Sequence, residues 1–283
     1  GPRVARGLEE ATLAVAAWDA GIVLSGAEAT VDAVAGAAAG AEGSGLVRTE
    51  LLFGDRAAAP PAEEQAAAFV EIGRALRQPV TARTWDPGGD KPLPFLPSEP
   101  EANPMLGDRG IRAMRGAPHL LREQLRAVLL ASREVAIRVM FPMVTEPDEV
   151  RWARELLHEV EQETGIPAPD VGMMVEVPAA AVRSGDFAGL VDFVSIGTND
   201  LTQYATAADR GNGRVSHLAR PGAPAVLDLI GATCRGLPGV PVAVCGDLAS
   251  DPELTATLVG LGVTELSVRP PLVGLVKQAV RDA

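Results

Sequence analysis

Residues Ser195–Tyr204, SIGTNDLTQY, follow a largely apolar run, so a short buried strand delivers a small, turn-forming Gly-Thr-Asn-Asp to its own C-terminal end. In parallel α/β folds that end is where ligands sit. Asn199 and Asp200 offer an amide and a hard carboxylate there, although the same pair also suits a turn that caps the next helix. Glu176, between Val175 and Val177 in MMVEVP, is the second carboxylate of interest. A charge embedded in a buried strand needs a partner or a metal.

Other apolar segments end the same way. Arg48 closes LVRTE, Arg83 lies in TARTWD, Arg109 and Arg112 fall in LGDRGIR, Arg210 in ADRGN, and Cys245 ends AVCGD. Guanidinium groups grip phosphate and carboxylate oxygens in bidentate fashion. Two carboxylates from neighbouring strands suit Mg²⁺, which takes few protein oxygens and completes its shell with water or substrate. An arginine taken singly is more often a solvated salt bridge; it is several together that point to an anionic ligand. A lone cysteine in an apolar strand is usually inert core, but Cys245 precedes Gly246-Asp247 at a strand end, which lets its thiol face the same mouth. Cys234, in a helical stretch, reads as packing. His119 and His158 read as helix-surface or cap residues, and His217 as structural.

The elements that must position these groups alternate. Strands are expected at Leu46–Thr49, Val80–Trp85, Ala136–Met143, Val171–Val177, Phe193–Ile196, Val240–Cys245 and Glu265–Val268. Helical patterns lie between them, the clearest at Glu63–Leu76, Pro118–Ala131, Glu146–Glu163 and Ala223–Cys234. Such alternation predicts an α/β fold with a parallel sheet, and at 283 residues a (β/α)8 TIM-type barrel. Seven strands are legible. Nothing strand-like stands before Gly45, so the eighth is read as degenerate, hidden within Glu28–Val34, or missing. Residues 1–26 are expected to form an N-terminal helix and linker, with the helix over Gly7–Trp18, and residues 27–283 the barrel domain. Pro87–Pro104 is a long Pro/Gly-rich loop of a size that is usually functional.

Composition bounds the partners. A net charge of −12 disfavours nucleic acid and anionic membrane surfaces, so an anionic ligand needs local cations acting against the global field. No apolar run is long enough to cross a bilayer. The first twenty residues carry charges where a secretory signal would be apolar. The two cysteines have no metal-ligand spacing and suggest no disulfide framework. A cytoplasmic location is expected.

These segments, from about Gly43 to Val268, resemble a known family. GLVRTELLFGDR, RTWDPGGDK, NPMLGDRGIR, RVMFPMV, MMVEVPAAA, SIGTNDLTQYATAADRGN and CGDLASD are similar, in order, to the phosphoenolpyruvate-binding barrel of phosphoenolpyruvate–protein phosphotransferase, enzyme I of the bacterial sugar phosphotransferase system. The resemblance implies that Glu176 and Asp200 are Mg²⁺ ligands and that Arg48, Arg83, Asn199, Asp200 and Arg210 hold phosphoenolpyruvate. It implies catalytic roles for Cys245, Arg109 and Arg210, with Cys245 the acid that protonates the methylene carbon as pyruvate forms. It also implies a homodimer.

Departures from the family pattern are equally legible. The Ser-His pair of the family's phosphohistidine domain is absent, so the implied acceptor is a histidine on a separate domain or protein. Asp247 stands where Glu is usual, and Asp108 where an aromatic precedes the arginine. The usual Ser-Met-Ser becomes Ser267-Val268-Arg269, which adds a cation beside the last strand. Two other functions fit the same residues: a carbon–carbon lyase or aldolase working through a pyruvate enolate, and a non-catalytic phosphoenolpyruvate-binding or dimerisation module.

Overall fold

The computed structural model describes residues 21–283 apart from 28–29, 55, 89–92 and 97–98. Eight strands close into a barrel in sequence order: β1 (Gly21–Ala27), β2 (Ser44–Arg48), β3 (Val80–Arg83), β4 (Ile137–Phe141), β5 (Val171–Val175), β6 (Phe193–Gly197), β7 (Val242–Cys245) and β8 (Glu265–Val268). Every neighbouring pair is parallel, and β1 closes the ring by pairing with both β2 and β8. Around the barrel run α1 (Thr30–Ala38), α2 (Thr49–Phe53), α3 (Ala62–Leu76), α4 (Ile111–Gly116), α5 (Pro118–Ser132), α6 (Pro147–Thr164), α7 (Pro178–Val182), α8 (Thr198–Thr206), α9 (Pro224–Gly236), α10 (Thr255–Gly260) and α11 (Val273–Asp282).

The barrel expectation holds, and the strand that could not be located is Gly21–Ala27. It is neither missing nor within Glu28–Val34, and it brings residues 21–26 into the barrel rather than a linker. The segment GIVLSGA alternates only weakly between large and small residues. Its registry with β2 is broken by two irregularities, so no clean strand period marks it. The helix expected over Gly7–Trp18 lies outside the described residues. Among the described residues, no helix is long and apolar enough to cross a membrane.

The two-residue period of a strand sorts this barrel into an outer and an inner set. Val80, Val139, Phe141, Val171, Met173, Val175, Val194, Ile196, Val242, Val244, Leu266 and Val268 belong to the large core shared with the helices. Leu46, Met140, Met174, Phe193 and Cys245, on the opposite parity, form a separate small cluster inside the barrel. Each fully buried aliphatic side chain contributes about 1.5–3 kcal/mol, so the outer set fixes the facing of β3 to β8, which carry it.

The helices carry their own stops. In α6, Pro147 occupies the first turn, Glu146 and Glu149 exchange capping bonds, and Gly165 at φ 65° ends the helix. The barrel floor is plugged by charge. Arg138 of β4 donates to both carboxylate oxygens of Glu265 on β8 (2.7 and 2.9 Å) and to Thr81 Oγ1 (2.7 Å). Its guanidinium also lies 4.1 Å from the centroid of the Phe193 ring. Gly172 is small because a Cβ there would sit 2.4 Å from that ring.

Candidate active site

Inward parity carried to the strand ends produces the site. Arg48 lies two residues beyond Leu46, Arg83 two beyond Thr81, Glu176 two beyond Met174, and Cys245 two beyond Ala243. All four line one cavity of about 510 Å³ at the C-terminal mouth, together with Asn199, Asp200 and Arg210. Seven of the sequence-predicted residues therefore meet in one place. Arg109 and Arg112 are not on its wall.

Arg83 is 3% exposed. Its Nη2 donates to Glu50 Oε2 at 2.7 Å, and Nη1 lies 3.3 Å from Asp86 Oδ2. Burial works against its charge, but Glu50, Asp86 and Glu176 outweigh that and hold its pKa above the ordinary value. Glu50 also accepts the Asp86 N–H at 2.5 Å. Behind this group, Thr49 donates to the Arg83 carbonyl (3.1 Å) and Gln124 bridges Thr49 and the Trp85 N–H. Glu50 and Asp86 were not anticipated as site residues. Their adjacency to the LVRTE and TARTWD arginines was the available signal, since a buried guanidinium needs carboxylates.

Arg109 is fully buried. Its Nη2 reaches Asp86 Oδ2 (3.1 Å) and Asp200 Oδ2 (3.2 Å), and its Nη1 donates to the Tyr204 hydroxyl (3.1 Å), which in turn donates to the Met105 carbonyl. It therefore contacts Asp200, which lines the cavity, while its own side chain is not among the lining residues. Arg112 donates to Thr145 Oγ1 (2.6 Å) away from the cavity.

Glu176 is 2% exposed, and its Oε1 accepts the Met143 N–H at 2.8 Å from a residue with φ 57°. Its pKa is pushed up to about 8, first by burial and then by the facing Asp200 and Asp86 carboxylates, with Arg83 and the Met143 N–H opposing. A buried carboxyl facing a second carboxylate across a cavity forms an environment that a divalent cation relieves. Among the described residues no group of three or more His, Cys, Asp or Glu could hold a metal. Two hard oxygens with open positions match the sparse protein donor set of Mg²⁺.

Glycines make room for these side chains. A Cβ on Gly197 would lie 2.8 Å from Glu176 Oε2, and one on Gly246, at φ 93°, would lie 2.5 Å from Thr198 Oγ1. Thr198 donates to the Cys245 carbonyl (2.6 Å), and Asn199 Oδ1 accepts the Asp247 N–H (3.1 Å). The loops after β6 and β7 are thereby tied together. Asn199 and Asp200 sit in the first turn of α8, so the pair both begins a helix and faces the cavity. Cys245 is buried, its Sγ contacts the Ile196 carbonyl (3.5 Å), and burial pushes its thiol up to about 11. Burial thus keeps the thiol protonated at neutral pH. Arg210 is exposed at the rim, its backbone N–H donating to Gln203 Oε1 (3.2 Å). None of the three histidines lines the cavity.

Residues 8–283 match the family described as PEP-utilising enzyme, PEP-binding domain, where PEP is phosphoenolpyruvate. The chain is 44% identical over 255 residues to a multiphosphoryl transfer protein of Rhodobacter capsulatus, covering 89% of this chain and 31% of that protein. It is 45% identical to the phosphoenolpyruvate-protein phosphotransferase of Haloferax volcanii, covering 86% of this chain and 45% of that protein. Against the enzyme of the same name from Haemophilus influenzae the identity is 42%, with 86% and 44% covered. The chain thus spans less than half the length of these relatives. Extensive identity along one barrel, joined to a mouth of arginines, carboxylates and a buried thiol, places it: the chain belongs to the PEP-utilising enzyme family, as its PEP-binding domain.

Proposed function

We propose that this domain binds phosphoenolpyruvate with Mg²⁺, passes its phosphoryl group to a histidine on a separate domain or protein, and releases pyruvate. The observation that carries the reading is the convergence of Arg48, Arg83 and Arg210 with Glu176, Asp200 and Cys245 around one cavity. The surplus of guanidinium groups favours a ligand bearing phosphate as well as carboxylate over a simple carboxylate, which argues against the lyase alternative.

Glu176 and Asp200 would hold the metal, which when bound neutralises charge on the transferring group. Arg48, Arg83 and Arg210 orient the phosphate and carboxylate and stabilise charge that spreads over the equatorial oxygens. The bond between phosphorus and the enol oxygen breaks as an imidazole nitrogen of the acceptor bonds to phosphorus. The electron pair left on the enolate moves to the methylene carbon, which takes the proton from Cys245 Sγ, and pyruvate forms. A barrel that presents its mouth to a separate acceptor fits a trans partner, and a homodimer is the proposed assembly.

Calorimetric titration with phosphoenolpyruvate, with and without Mg²⁺, tests the reading. Binding that strengthens at least tenfold with metal is expected, and Asp200→Ala should abolish the difference. A metal response that persists in this variant would exclude Asp200 as a ligand, and absence of binding by the unmodified chain would overturn the function.

A further inference from the structure

The last strand supplies a cation that the proposed reaction leaves without a role. Glu265, Ser267 and Arg269 share the inward parity of β8, and Arg269 continues the extended backbone beyond the strand's end at φ −67° and ψ 144°. Parity carries its side chain to the mouth, where it lines the same cavity as Arg48, Arg210 and Cys245.

Its backbone is held in that position. Pro270 and Pro271 follow, and the residue before a proline is confined to extended conformations. The Arg269 N–H donates to Ser250 Oγ at 3.4 Å, which ties it to the loop that follows Cys245. Among the described residues its guanidinium makes no ion pair with a carboxylate, whereas Arg83 is matched by Glu50 and Asp86. An exposed guanidinium on a restrained backbone, facing a cavity whose other arginines already point to an anionic ligand, is available to that ligand rather than to the fold.

We propose that Arg269 is a further substrate-binding residue, gripping an oxyanion of the bound phosphate- and carboxylate-bearing ligand from the Cys245 side of the mouth. The inference rests on the reading of this cavity as the phosphoenolpyruvate site. β8 pairs with β7, which carries Cys245, and with β1. The grip therefore comes from the arc opposite β4, clear of the Glu176 and Asp200 carboxylates contributed from β5 and β6.

Calorimetric titration of the full chain with phosphoenolpyruvate at saturating Mg²⁺ tests it, using Arg269→Ser and Arg269→Lys alongside the unmodified protein. Arg269→Ser should bind about tenfold more weakly, the effect of losing one charge-assisted contact. Its affinity should also fall less steeply with added salt, because one ionic contact is gone. Arg269→Lys should recover part of the affinity by keeping the charge without the planar fork. The urea midpoint should be the same in all three proteins. Equal affinity for Arg269→Ser and the unmodified chain overturns this inference and leaves the proposed function standing. A parallel loss of midpoint and affinity, unrepaired by lysine, makes Arg269 structural and overturns it as well. No binding by the unmodified chain overturns both.

Discussion

Arg83 and Glu176 are both buried, and each is defined by the charges around it. Arg83 stays cationic because two carboxylates behind it answer the cost of burial. Glu176 faces carboxylates and is driven the other way. A carboxyl whose folded pKa, about 8 here, lies above its unfolded value of about 4.3 holds its proton more tightly when folded. Its contribution to stability is full below the unfolded value and is lost as the pH rises through the folded one. In metal-free protein the unfolding free energy from urea titrations should therefore decline from about pH 5 to about pH 8. Glu176→Gln should flatten that decline, and an unaltered slope in the variant would assign it to another group. Cys245 is the other residue-scale test. Cys245→Ala should leave phosphoenolpyruvate affinity within about twofold, since the protonated thiol carries no charge to the ligand, while pyruvate formation drops by two orders of magnitude or more, in the range for loss of a positioned acid. Equal loss of both would show that the thiol only packs.

At the scale of the element, the inner face of each strand is the unit of function. Arg48, Arg83, Glu176 and Cys245 reach one cavity because each sits an even number of residues from an inward-facing neighbour. A slip of one residue would turn each of them out among the helices. Gly197 belongs to the same inner row on β6 and contributes by lacking a side chain. Gly197→Ala would press a methyl group to within 2.8 Å of Glu176 Oε2 and displace that carboxylate. The variant should lose metal-dependent ligand binding by about tenfold or more, as small misplacements at a site do, while its urea midpoint moves little. A variant with wild-type metal response would mean that Glu176 is free to shift.

For the whole molecule, the barrel divides its labour along its axis. The mouth concentrates charge that serves a ligand, and the floor concentrates charge that serves the fold. Arg138, Glu265, Thr81 and Phe193 close the floor, and none of them lines the cavity. Phe193→Ala should destabilise the protein by about 3–5 kcal/mol through a cavity in the barrel interior. Phosphoenolpyruvate affinity per folded molecule should stay unchanged. Denaturant unfolding paired with calorimetry on the native fraction checks both, and a matched loss of affinity would show that floor and mouth are mechanically coupled.

Seven strands and most helices were legible in the sequence because a buried strand between amphipathic helices leaves a local apolar pattern. Of the residues that line the mouth, Arg48, Arg83, Glu176 and Cys245 were legible because each ends such a pattern, and Asn199 and Asp200 because they follow one directly. β1 was not, since GIVLSGA has little alternation and its register is irregular; it is defined by the two neighbours that close the ring. The sequence also could not separate Arg109 from the cavity-lining arginines, or single out Glu50 and Asp86. Whether a guanidinium points into a cavity or into a nest of carboxylates depends on how loops from different strands stack at the rim, and that is decided only when the barrel closes.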